Sequence, residues 1–207
     1  YWNVGGLYVD FNNDSAVLRC IGKDKSVVYL TTKGPSLTDG QTYDIEFGVI
    51  DVDEKTVKVL LKIDDTVYFE KELTHEDFVG GEFYFGIVAS GSKATISKSD
   101  AAVDPDPEPT YDVVDVTDML ADTSNWTLGY DAPTFAEGSI TAKTADRFSI
   151  GGYNTPVELG TVYRFKYKNV RASGWYDGFY LGFKPANIYW GDGGVQVDFN
   201  DDSTVLH

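Results

Sequence analysis

Cysteine, methionine and histidine are scarce: the 207 residues contain one Cys, one Met and two His. A single cysteine, Cys20, permits no disulfide framework and no thiolate metal cluster. His75 and His207 form no zinc spacing and belong to no Ser/His/Asp set, and no phosphate loop is present. Basic residues are also few. Lys and Arg number 17 against 33 Asp and Glu, a net charge of −16. The deficit runs through both halves, with 17 acidic and 10 basic residues in Tyr1 to Asp100 and 16 and 7 in Ala101 to His207. Phosphate binding needs a basic footprint, so no nucleic-acid partner is expected. No apolar run reaches membrane-spanning length, so no membrane insertion is expected either.

What the chain does have is a hydrophobic content of 42% and 14% aromatic residues, enough for a substantial core. It also has a repeat. Tyr1 to Arg19 (YWNVGGLYVDFNNDSAVLR) returns without a gap as Tyr189 to His207 (YWGDGGVQVDFNDDSTVLH), 188 residues later, with twelve positions identical. A repeat of that period marks a window on a tandem array.

Between the copies the sequence reads as strand after strand. LYVDF and AVLRCI flank the Asx-rich turn NNDS as a hairpin. In TYDIEFGVI, Tyr43, Ile45 and Phe47 share one face while Asp44 and Glu46 share the other. TVKVLLKI and TVYFEKEL, joined at Asp64-Asp65, predict a second hairpin over Thr56 to Leu73. GSITAK, RFSIGGY, TVYRFKYKNVRA and GFYLGFK continue the pattern. Only HEDF and MLADTSN suggest a helical turn.

The prolines of VDPDPEP, alternating with acids, make 101–110 an extended linker. Residues 1–100 then form the C-terminal portion of one repeat and 111–207 the N-terminal portion of the next. The two portions complete one sandwich by circular permutation within the chain or by half-domain exchange between chains; two separate small domains are the other possibility. In either joined arrangement the two copies compete for one place, and the copy left over is expected to be disordered or paired with another chain.

The order of these segments, with L-x-x-G-x-x-Y-x-I at Leu37 to Ile45 followed by the hairpin around Val57 to Asp65, resembles the concanavalin A-like jelly-roll sandwiches. These include laminin-G-like modules, legume-type lectins and carbohydrate-binding modules. The resemblance covers most of the chain, in permuted order. It implies an all-β antiparallel jelly-roll β-sandwich. Proline–acid linkers between diverged repeats are what a long surface or secreted protein uses to hold modules apart, so an extracellular, bacterial setting is expected.

Three groups of residues are candidates for function. Trp175, Tyr176 and Asp177, together with Tyr189, Trp190 and their counterpart Trp2, set aromatics beside glycines and acids, as carbohydrate binding requires; sugars stack C–H faces on flat rings while carboxylates accept hydroxyl hydrogen bonds. Packing at strand edges is the competing reading. Asp10, Asn12 and Asp14, with Asp198, Asn200 and Asp202, cluster hard oxygens suited to a structural calcium, or else simply turn a hairpin. Asp44 and Glu46 resemble two of the three strand carboxylates of family 16 glycoside hydrolases, but Thr42 stands at the nucleophile position. No enzyme is expected. The expected function is non-catalytic, with a glycan or neighbouring copies of the same repeat as partners.

Overall fold

Alternating apolar and polar side chains build strands with one apolar face, and such faces must be buried against one another. The computed structural model describes residues 5–11, 16–23, 28–33, 37–100, 111–145, 148–171, 177–185, 197–200 and 203–206. N-terminal to residue 101 lie β1 (Gly6–Phe11), β2 (Ala16–Ile21), β3 (Val28–Lys33), β4 (Thr42–Asp53), β5 (Thr56–Ile63), β6 (Thr66–Leu73), α1 (Glu76–Val79), β7 (Tyr84–Ser90) and β8 (Ser92–Ser97). After residue 110 come β9 (Asp112–Asp115), α2 (Thr117–Ala121), a 3-10 turn (Thr123–Asn125), β10 (Trp126–Tyr130), β11 (Thr134–Ala136) and β12 (Ser139–Lys143). They are followed by β13 (Phe148–Tyr153), β14 (Thr161–Arg171), β15 (Asp177–Gly182), β16 (Val197–Asn200) and β17 (Ser203–Leu206).

Fifteen of these strands run through two sheets. One has seven strands in the order β10-β13-β7-β15-β1-β2-β3, the other the order β11-β12-β8-β14-β4-β5-β6, with β9 added beside β14. β9 runs parallel to β14, whereas neighbours such as β1 and β15, β4 and β14, and β7 and β13 are antiparallel. Strands from both sides of 101–110 alternate in both sheets, so the portions 1–100 and 111–207 share one sandwich. The linker itself lies outside the described residues. β16 and β17 form a two-stranded sheet of their own.

The two inner faces meet in an aromatic core. Phe179 of β15 lies 5.2 Å, centroid to centroid, from Phe47 of β4 and 5.0 Å, edge-on, from Phe165 of β14. Phe85 of β7 packs edge-on against Phe165 at 5.4 Å. Each of these rings is fully buried, a burial that stabilises by roughly 2–3 kcal/mol per side chain. Cys20 faces the same core as a small apolar side chain. Ile45 and Phe47 are buried as their alternation predicts, and Asp44 is exposed. The β5–β6 hairpin turns on Asp64 and Asp65, both left-handed at φ 46° and 63°, the geometry of a two-residue hairpin turn. The helices are single turns; α1 is capped by His75, whose Nδ1 accepts from the Asp77 backbone N–H. Among the described residues no helix is long and apolar enough to cross a membrane.

Candidate functional site

β15 lies between β7 and β1 in the seven-stranded sheet, and its register places the candidate residues. Phe11, the last residue of β1, is opposite Asp177, the first of β15. The end of β1 and the start of β15 are therefore adjacent on one rim of the sandwich. Trp175 and Tyr176 precede Asp177 directly, while Asn12 and Asp14 follow Phe11. Trp2, Asn12, Asp14, Trp175, Tyr176, Tyr189, Trp190 and Asp202 lie outside the described residues. Asp198 and Asn200 are placed as backbone of β16.

Asp177 does not face solvent. It is fully buried on the core side of β15, where its Oδ1 accepts from the Tyr167 hydroxyl at 2.5 Å and from Asn169 Nδ2 at 3.0 Å. A buried carboxylate needs such donors, and these two tie the start of β15 to β14 across the layers. The Asp177 carboxylate thus fixes the rim from beneath.

Asp10 occupies the opposite, outer face of the seven-stranded sheet. It is 3% exposed, and Arg19 Nε of β2 lies 2.7 Å from its Oδ2. That guanidinium occupies the carboxylate which the calcium reading needs. Among the described residues no group of three or more His, Cys, Asp or Glu could hold a metal. Of the six candidate calcium ligands Asp10 is the one whose side chain is described.

The middle of that outer face is equally closed. Tyr8 and Tyr180 stand opposite each other, with ring centroids 5.5 Å apart, and with Ile21, Val88 and Ile150 they form a second buried cluster. Their hydroxyls donate to the carbonyls of Gly5 (2.5 Å) and Gly151 (3.2 Å). Room for the Tyr180 ring comes from Gly86, where a Cβ would sit 2.0 Å from Tyr180 Cζ. At 1% and 3% exposure, neither ring can stack a sugar. Sequence inspection missed this pair, because only pairing β1 with β15 across some 170 intervening residues brings the two rings together.

Burial pushes the Tyr8 and Tyr180 hydroxyls well above the usual phenol range and the Cys20 thiol up to about 12. Each group stays protonated in the folded chain while the unfolded chain ionises, from about pH 9 for the thiol and about pH 10 for the phenols. Their stabilisation is complete below those values and is lost as pH climbs above them, at about 1.4 kcal/mol per pH unit and group. Urea midpoints should be level from pH 7 to 8.5 and fall steeply between pH 10 and 11. Tyr180→Phe should lessen the fall, and an unchanged slope would contradict this assignment.

Of the hydrolase-like carboxylates, Glu46 is charge-paired: its Oε1 accepts from Arg164 Nη2 at 2.5 Å, and its Oε2 lies 3.2 Å from Lys62 Nζ, which joins β4 to β14 and β5 on the outer face of the second sheet. Asp44 accepts from the Ser99 hydroxyl, beyond the end of β8, at 3.3 Å. No protein-family model matches the chain, and no curated protein matches it.

Proposed function

We propose that this chain is a non-catalytic repeat module of an extracellular surface or secreted protein. In this reading it is a concanavalin A-like jelly roll with its halves in permuted order, and it binds carbohydrate at one rim of the sandwich. The observation that carries the site is the pairing of Phe11 with Asp177, which sets side by side the strand ends that adjoin in sequence the Asx-rich segment 12–15 and the segment bearing Trp175 and Tyr176. Flat rings supply stacking surface, and Asn and Asp oxygens accept hydroxyl hydrogen bonds. The closed centre of the outer face favours the rim, since Tyr8 and Tyr180 are already covered. Asp177 acts as a positioning residue there. The permuted order is supported by strands from both sides of 101–110 alternating in both sheets. Calcium has no part in this proposal.

Glycan-array binding should be detectable with the full chain and should fall at least tenfold on Trp175→Ala, about the loss of one stacking contact, with the melting temperature unchanged. No binding across plant, host and bacterial glycans would sink the carbohydrate reading. A second reading, a structural repeat that assembles by exchange of strands between neighbouring copies, is favoured by the duplicated hairpin. Light scattering over a concentration series tests it, and a strictly monomeric chain counts against it.

A further inference from the structure

The two copies of the repeated element share their pairing as well as their sequence. β1–β2 sets Val9 opposite Leu18, Asp10 opposite Val17 and Phe11 opposite Ala16. β16–β17 sets Val197 opposite Leu206, Asp198 opposite Val205 and Phe199 opposite Thr204, each residue 188 positions further along. The same hairpin is built twice in the same register. The first copy occupies the seven-stranded sheet between β15 and β3, and the second pairs, among the described strands, only within itself.

What β15 demands of a neighbour can be read from its contacts. Gly6, at φ +127°, passes so close to β15 that a Cβ would lie 2.5 Å from the Leu181 carbonyl oxygen, so that position must be glycine. Phe11 supplies a buried ring 5.7 Å from Phe179 and 5.3 Å from Tyr167. Val9, opposite Phe179, is fully buried. The second copy keeps every one of these requirements, with Gly194, Val197 and Phe199 at the corresponding positions. Its changes on this strand are Val195 for Leu7, which removes one methylene, and Gln196 for Tyr8, which gives up the buried ring that meets Tyr180. The eleven residues 183–193 between Gly182 and Gly194 are longer than a tight hairpin loop and enough to return the chain to the edge of β15.

We infer that the place beside β15 accepts either hairpin, the second one within the same chain, with Gly194 opposite Gly182 and Phe199 opposite Asp177. The first copy fills it in preference because it brings Tyr8 to Tyr180. The second takes that place when the first is damaged or drawn away. This goes beyond the carbohydrate reading and does not depend on it. For the structural reading it names the element that is exchanged.

The test uses the full chain with Phe11→Asp, Phe199→Asp and the two together. Phe199→Asp should leave the melting temperature within about 2 °C, because among the described strands the second hairpin pairs with neither large sheet. Phe11→Asp should lower it by about 5–10 °C yet keep a cooperative, monomeric transition. The double variant should show no cooperative transition above 25 °C. A cysteine pair placed by Gln196→Cys and Tyr180→Cys should form a disulfide in the Phe11→Asp background and stay reduced in the Phe199→Asp background, where the second hairpin cannot enter. A Phe11→Asp chain that is unfolded, that melts like the double variant, that dimerises with concentration or that never forms the disulfide overturns the inference. None of these readouts involves glycan, so a blank array leaves them standing.

Discussion

The Gly178→Ala chain should lose more than about 3 kcal/mol of stability, a size reserved for substitutions with no local way to relax. Gly178 is the second residue of β15, opposite Asp10 of β1 and Val88 of β7. A Cβ there would stand 1.9 Å from the Val9 carbonyl oxygen, 2.9 Å from the Val9 carbonyl carbon and 3.1 Å from the Asp10 Cα. All three are backbone atoms of the neighbouring strand and have no rotamer to move into. The ladder between β1 and β15 would have to open in the middle of a seven-stranded sheet. Gly129→Ala is the control, since nothing lies within 4 Å of its Cβ position, and its effect should stay within about 0.5 kcal/mol. Urea titrations followed by near-UV circular dichroism measure both, and a Gly178→Ala midpoint equal to that of Gly129→Ala would refute the argument.

Glycines such as Gly178 mark the limit of what could be read from the sequence. Alternation told which side of each strand faces the core: Tyr43, Ile45 and Phe47 point together because the period of a strand is two. The hairpin Thr56 to Leu73 was legible because its partners are neighbours in sequence and Asp64-Asp65 accepts left-handed backbone. Alternation does not tell which strand lies alongside which. β15 pairs with β1 and β7, and β14 with β4 and β8, all across long stretches of chain, and no local preference encodes those choices. Asp177 shows the consequence. Next to Trp175 and Tyr176 it reads as a surface acceptor, but the register turns it inward, where Tyr167 and Asn169 hold it. Conversely, the helical hint in HEDF was legible because the segment carries its own cap, His75; MLADTSN also falls on helical turns, without a side-chain cap.

Arg19→Met should destabilise by about 3 kcal/mol, and Asp10→Asn combined with it should restore most of that loss. The reason is an asymmetry in buried ion pairs. Two charges that are removed together cost little, because their attraction is offset by the desolvation of both. One charge removed alone leaves the other in an apolar site, here a carboxylate only 3% exposed, without the guanidinium that sits 2.7 Å away. The pair bridges β1 and β2 diagonally on the outer face, beside Tyr8 and Val17. It therefore also fixes the register of the hairpin that competes for the place beside β15. The second copy has His207 where the first has Arg19, which suggests a sharper version of the experiment. In Arg19→His the imidazolium can face Asp10 only while protonated. The carboxylate raises the folded-state pKa of the histidine above its ordinary value near 6.5. Stability should then be complete below about pH 6 and fall as pH rises through the raised pKa, since the folded state holds the proton more tightly. Urea midpoints for Arg19→His at pH 5.5 and pH 8 should differ by about 1–2 kcal/mol in favour of the lower pH, while the parent chain changes far less across the same interval. Equal midpoints at the two pH values would mean that Asp10 does not depend on a cation at position 19. In that case the hairpin would be held in its sheet by packing and backbone pairing alone.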